Sequence, residues 1–340
     1  MADGNEGLTG RVTIRTVAAD AGVSVAAVSK VMRNAYGVSD ALRLKVLASI
    51  EKLGYRPSVG ARGMRGRTFT LGVLLVGIDN PFLPGIYQGI ESVTEAAGYK
   101  IMVGVGAART RTEVQLIEQM IDNRMDGIIL VASQIAGETL EHFARQLPIV
   151  VVGHHEPGAL GYDTINNDDQ FGARLAVHAF LDRGYRDIAY LTQSDREDDF
   201  ADVAPQREHG YRNTMTAVGL ADRIRVFCLP TYGQPRVAMI RDILLSPDRP
   251  RAIFCWSDLD ALPLLSEAHR LGVRIPEDLA LIGYDNSPMA QMSMVDLTSI
   301  DQDGPRLGKL AAEALFTRIS GRQVAEHILI EPTLIPRGSL

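Results

Sequence analysis

The sequence predicts an α/β protein in two parts, a small helical head and a large body of parallel sheets. Three observations carry that expectation. Beyond residue 67, short apolar runs alternate with amphipathic stretches, as strands do when each is followed by a covering helix. Before that point, three short amphipathic stretches each begin at a hydroxyl residue suited to cap a helix. Charge divides the chain at the same place: residues 1–67 hold eleven Lys/Arg against five Asp/Glu, a net +6, and the remainder carries −12. The overall −6 of the 340 residues therefore conceals two opposite signs. A basic head suits a polyanion, and an acidic body stands off from one. That length exceeds one ordinary core, and 46% apolar residues suffice for several.

In the head, Thr13 caps a helix through about Asp20, with Ile14, Val17 and Ala18 on one face. Ala21–Gly22–Val23 breaks it. Ser24 caps a second helix, from Val25 to about Arg33, with Val28, Val31 and Met32 inward. Ser39 caps a third, carrying Leu42, Val46, Ile50 and Leu53 at helical spacing. Gly54 stops it and Pro57 prevents its resumption. Two short helices joined by a glycine turn are a helix-turn-helix. The second presents Val25, Ala26, Ser29 and Lys30, small or basic side chains that let a helix lie deep in a major groove. A three-helix bundle without a DNA role is the alternative that spacing leaves open.

In the body, strands are expected at Leu71–Val76, Ile101–Val103, Gly127–Val131, Ile149–Val152, Ile188–Leu191, Ala252–Cys255 and Leu279–Ile282. Helices are expected over about 83–97, 113–123, 172–183, 207–217, 236–245 and 259–271. Some 270 residues fit two lobes better than one.

Several classes are set aside. No apolar run approaches the roughly 18 residues that span a bilayer, so no membrane partner is expected. Met1–Gly10 lacks the pattern of a secretory signal, and a cytoplasmic protein is expected. Two cysteines make neither a disulfide scaffold nor a Cys-based metal site. His154–His155–Glu156 has no evident third ligand, so no metal is expected there. Val103–Gly104–Val105–Gly106 lacks the third glycine of a dinucleotide fingerprint, so no cofactor is expected. No nucleophile elbow, Walker loop or Cys/His pairing supports catalysis, and the chain is not expected to be an enzyme.

The run Val12–Ala18, then Ala21–Val31, Val38–Ser39 and Ile50–Pro57, resembles the DNA-binding head of the lactose-repressor (LacI/GalR-type) family of bacterial transcriptional regulators. The body carries matching markers: Asp79–Asn80–Pro81–Phe82, Asp126–Ile129, Asn167–Asp168, Gly184–Ala189, Ile275–Asp278 and Ile282–Asp285. The resemblance implies a periplasmic-binding-protein-like body with a ligand cleft between two lobes. It divides the chain into a head at 11–57, a hinge helix or linker at 58–67 and a body at 68–340. Lobe 1 would take about 68–184 and 303–327, and lobe 2 about 185–302 and 328–340. It places Val25, Ala26 and Lys30 among base-reading residues, and Thr13, Ser24, Ser29 and Tyr55 among phosphate contacts. Lys30 stands where arginine is common; a point donor in place of a fork implies weaker guanine preference. Ala61 and Met64 fall in the hinge helix, with Met64 as the minor-groove wedge. Gly60 and Gly63 make that helix weak, so it is expected to fold only on DNA.

For the effector, the resemblance points Arg207 into the cleft, where its planar fork suits a diol or a carboxylate. Asp285 follows a strand at a carboxyl end, where α/β sheets bind ligands. Asp258 follows Ser257 where the family often has Asn–Asp. Trp256 and Phe82 are candidates to line the cleft, each with a core role as the alternative. Asp168, with Asp169 and Phe171, is expected near its mouth. The chain lacks a heptad tail after Pro336, so a homodimer is expected. The expectation is a dimeric repressor reading double-stranded operator DNA, responsive to a small effector, a sugar or sugar derivative, in the inducer mode. A sugar receptor without a DNA role is the alternative.

Overall fold

The computed structural model describes residues 12–32, 35–55, 66–193, 203–230 and 234–340. Two compact units result, Met1–Thr68 and Phe69–Leu340. The hinge-position residues Ala61 and Met64 lie outside the described residues.

The head has α1 (Ile14–Asp20), α2 (Val25–Met32) and α3 (Asp40–Leu53). The caps work as their chemistry dictates: Thr13 accepts from the Thr16 amide, Ser24 from Ala27 and Ser39 from Leu42. Gly54 ends α3 in the left-handed region at φ +59°, which only glycine adopts without strain. Val17, Val28, Val31 and Val46 form the core. Asp20 joins α1 to α3, accepting from Ser49 Oγ and Lys52 Nζ at 2.7 Å each.

Among the described residues, the body holds two six-stranded sheets. The first uses β1 (Thr70–Leu75), β2 (Lys100–Val105), β3 (Gly127–Val131), β4 (Ile149–Val152), β5 (Asp163–Asn167) and β11 (His327–Ile330), in the order β11-β5-β4-β3-β1-β2, all parallel. The second uses β6 (Ile188–Gln193), β7 (Arg225–Leu229), β8 (Ala252–Cys255), β9 (Ala280–Tyr284), β10 (Ser299–Asp301) and β12 (Thr333–Ile335), in the order β12-β10-β9-β8-β6-β7. There β10 and β12 pair antiparallel, and the other pairs are parallel.

Helices cover both faces of each sheet. On the first these are α4 (Leu83–Ala96) with α11 (Gly304–Ile319), opposite α5 (Thr110–Asp122) with α6 (Gly137–Ala144). On the second, α7 (Asp169–Asp182) with α8 (Val203–Ala217) face α9 (Gln234–Leu245) with α10 (Asp258–Leu271). Burial on both faces explains the unbroken apolar strands: Leu71, Val73 and Leu75 point into one layer, and Leu74 into the other. Between α4 and α11 the backbones nearly touch, because Gly89 and Gly308 carry no Cβ at the crossing.

The chain crosses between lobes three times, and two crossings differ from expectation. The first falls at Asp168, not near residue 184. Helix α7 turns Ala173, Ala176, Val177 and Phe180 onto the second sheet, so it belongs to that lobe. The last follows Ile330, not residue 328, since β11 pairs along its length with β5. Pro332, lacking an N–H, then ends the strand.

Candidate functional site

In the head, Thr13, Ser24, Ala26 and Lys30 are exposed, and Val25 and Ser29 are half-buried. Val25 also packs on the head core. Tyr55, expected among phosphate contacts, places its ring in that core with 8% of its surface exposed. The remaining face of α2 is small and basic, with Lys30 in its last turn.

In the body, each sheet has a topological switch point, between β1 and β3 in the first and between β6 and β8 in the second. Ligand sites form at the carboxyl ends of strands beside such points. One cavity of about 120 Å³ lies there, between the lobes. The first lobe supplies Asn80, Phe82, Ile86 and Asn167; the second supplies Asp169, Arg207, Trp256 and Asp285; Gln302 stands on the middle crossing. Four of the six expected effector residues thus meet here: Phe82, Arg207, Trp256 and Asp285.

Arg207 is the centre of the charge pattern. It is 2% exposed, and Nε donates to Asp169 Oδ1 at 2.7 Å. Nη1 donates to the Trp256 carbonyl at 2.5 Å, and the guanidinium sits 3.6 Å from the centre of the Tyr284 ring. Burial works to raise the Asp169 carboxyl, but the charges and hydrogen bonds of Arg207 and His155 outweigh it and hold it below its usual range. Arg207 rises further above its own range: burial opposes that, and Asp169 and Asp285 overcome it.

Asp285 and Asn286 have positive φ, 108° and 48°, which is uncommon outside glycine and best tolerated by Asp and Asn. Neighbours over-determine that turn. Asp285 N–H donates to the Ile300 carbonyl, Asn286 N–H to Ser299 Oγ, and Arg337 grips Asn286 Oδ1. Asp258, expected to bind effector, supports the same turn and does not line the cavity. Its fully buried carboxylate accepts from Ser287 N–H at 2.7 Å and Ser299 Oγ at 2.8 Å, holding the segment that carries Asp285. Asp168 does not line the cavity either; it caps α7 through the Phe171 amide at 2.8 Å. One of its oxygens thus serves an orphan helix donor.

Sequence reasoning passed over Asn167 and Gln302. Asn167 Nδ2 donates to the Gln302 carbonyl at 3.1 Å and lies 3.2 Å from its Oε1, while Gln302 Nε2 donates to Asp285 Oδ1 at 2.5 Å. Asn167 Oδ1 and Trp256 Nε1 are buried and have no hydrogen-bond partner among the described residues. That leaves one acceptor and one donor lining the cavity. The two histidines turn to different partners: His154 reaches Tyr162 and His155 reaches Asp169.

Burial pushes the Asp285 carboxyl from 3.8 up to about 8, against the charge of Arg207 and with the help of Asp258. The folded state then keeps a proton that the unfolded chain releases near 4. Stability should decline as pH rises from about 4 through 8 and level off above. Asp285→Asn should flatten that decline in urea titrations between pH 5 and 8; an unchanged slope would mean the carboxyl is already ionised in the fold.

A helix-turn-helix head joined in one chain to a two-lobe body with a polar cavity defines a class, the DNA-binding transcriptional regulators with a ligand-binding body. Residues 13–58 match the model of bacterial regulatory proteins, lacI family, and residues 177–340 that of the periplasmic binding protein-like domain. The chain is 30% identical over 333 residues to an HTH-type transcriptional repressor PurR of Photobacterium profundum, covering 96% of this chain and 98% of that one. The chain belongs to the LacI family of bacterial regulatory proteins. Its structure is similar to that of a transcriptional regulator CelR–cellobiose complex, with 27% identity, a TM-score of 0.69, and coverage of 97% and 100%. It is also similar in fold to the lac repressor dimer bound to operator and the anti-inducer ONPF, at 21% identity, a TM-score of 0.82, and coverage of 97% and 99%.

Proposed function

We propose that the chain is a cytoplasmic, homodimeric repressor whose hold on operator DNA is set by an uncharged, hydroxyl-rich effector, a single-ring sugar or derivative. The observation that carries this is the matched charge in the cavity. Arg207 is neutralised by Asp169, and Asp285 favours its neutral form. No net positive charge is left to attract a carboxylate or phosphate. The unpaired Asn167 Oδ1 and Trp256 Nε1 offer an acceptor and a donor to hydroxyls, and the indole offers a face to a sugar ring. The cellobiose complex of the CelR relative supports a carbohydrate. The cavity of about 120 Å³ favours one ring over two, since pockets for drug-sized ligands run to roughly 300–1,000 Å³.

Two heads, each with a net charge of +6 through residue 67, would read the half-sites of a pseudo-palindrome. Thr13, Ser24 and Ser29 would grip phosphates, and Ala26 and Lys30 would face bases, with Val25 at the edge of that face. Effector and DNA would be reciprocally coupled, and a tenfold effect corresponds to about 1.4 kcal/mol. The cavity is assigned to binding, not catalysis.

A thermal-shift panel of monosaccharides, disaccharides, sugar phosphates and nucleosides tests the proposal, followed by gel shifts on the operator with each hit. A neutral monosaccharide should raise the melting temperature and change operator affinity at least severalfold. Stabilisation by sugar phosphates alone, or a hit with no effect on DNA binding, would end it.

A further inference from the structure

His155 does not line the cavity, yet it is tied to its centre. It stands on the loop after β4, in the first lobe, and its side chain is 15% exposed. Its Nε2 lies 2.8 Å from Asp169 Oδ2, on the first turn of α7 in the second lobe. The other Asp169 oxygen, Oδ1, accepts from Arg207 Nε at 2.7 Å. The two carboxylate oxygens are therefore divided between one residue of each lobe.

The carboxylate has 1% of its side chain exposed, so with His155 in place it depends on protein donors and not on water. With Arg207 alone gripping it, one oxygen would be buried without a partner. The carboxylate would turn to share both oxygens with the guanidinium, and the guanidinium plane would turn with it. That plane fixes the bond to the Trp256 carbonyl and the stacking on Tyr284.

We infer that His155 is a positioning residue for the effector cavity: reaching from the opposite lobe, it fixes Asp169 and, through Asp169, the orientation of Arg207. Because its lobe is not the lobe of Arg207, the grip is complete only at a lobe angle that brings His155 to Asp169, as here. Occupancy of the cavity and lobe closure thus share one carboxylate. The outer side of His155 faces a groove lined by Asp168, Arg174, His178 and Gln206, so the link is reachable from solvent. The inference rests on reading the cavity as the effector site, but its test needs no effector.

Trp256 is the only tryptophan, its ring centre lies 5.8 Å from the Arg207 guanidinium carbon, and its Nε1 is buried. Acrylamide quenching of its fluorescence in the full chain, with no ligand added, reads both the guanidinium and the cleft. His155→Ala should raise the quenching constant about threefold, as local opening admits the quencher. His155→Gln, which retains a donor, should return it to the starting value. Far-UV circular dichroism verifies that each variant is folded. Should the alanine chain not fold, His155→Gln and His155→Glu carry the test, since Glu has the shape of Gln but no donor: Glu must raise quenching and Gln must not. Equal quenching in the parent and His155→Ala chains, or in the Gln and Glu chains, would overturn the inference. Failure of the sugar panel would leave this result standing.

Discussion

Arg207→Lys should lower effector affinity by about a hundredfold, equivalent to roughly 2.7 kcal/mol, and abolish the effector's influence on operator binding at ordinary concentrations. Lysine keeps the charge that Asp169 requires, so the fold survives. It loses the planar fork that serves Asp169, the Trp256 carbonyl and the Tyr284 face together. Arg207→Leu should go further and cost about 3–5 kcal/mol of stability, because it strands a buried carboxylate with His155 as its remaining partner. Titration calorimetry with the hit from the sugar panel, beside effector-free gel shifts, separates the two effects. Operator binding without effector should stay within about twofold for the lysine chain, because Arg207 belongs to the other compact unit and is no part of the head's own core. A normal effector response in the lysine chain would mean the pocket is elsewhere.

Gly308→Val should strongly destabilise the first lobe. A Cβ at Gly308 would lie 1.9 Å from the Ile86 carbonyl oxygen, and one at Gly89 would lie 2.0 Å from that of Pro305. These are backbone atoms, so no rotamer change relieves the clash; α4 and α11 must move apart along their shared face. Overpacking commonly costs about 1–3 kcal/mol, and a helix pair forced apart belongs at or above the upper end. Ile86 and Leu307 line the cavity, so effector affinity should fall as well. Glu313→Ala, on the exposed side of the same helix, should change stability by less than about 0.5 kcal/mol. Urea unfolding of the two variants checks the contrast; equal midpoints would mean the helices part without cost.

Strands buried on both faces, such as Gly127–Val131 and Ile149–Val152, were legible because every position must be apolar. Strand β5, Asp163–Asn167, was not. It is fully buried yet reads Asp-Thr-Ile-Asn-Asn, and its side chains find their partners on other elements, Asn167 Oδ1 excepted. Asp163 takes Arg318 and Arg322, Asn166 takes His154, and Asn167 takes Gln302. The partners of Asp163 and Asn167 lie more than a hundred positions away, and no local pattern announces them. Helix α11 was passed over for a related reason: its small inward residues, Gly308, Ala311 and Ala312, give a weak apolar signal but permit the close crossing with α4. Within the site, Arg207 and Asp285 were legible through the resemblance and the strand end. Asp258 and Asp168 have the right chemistry for a ligand, but Asp258 serves the Ser287 amide and the Ser299 hydroxyl, and Asp168 serves the Phe171 amide. Which of several nearby aspartates faces the cavity depends on turn geometry, and the charge of a residue does not encode that.

The threefold crossing of the chain constrains the order in which the molecule can be made. The first sheet receives its outermost strand, His327–Ile330, and the helix over one of its faces, Gly304–Ile319, only after the whole of the second lobe through Asp301 has been synthesised. At roughly 5–20 residues per second, the ribosome holds that half-built layer only partly covered for on the order of ten seconds. During that interval Leu71, Val73, Ile129 and Val150 have α4 but lack the part of their cover that α11 supplies. The nascent first lobe is therefore a natural client for holding chaperones, and the second lobe, whose covering helices arrive with its strands, is not.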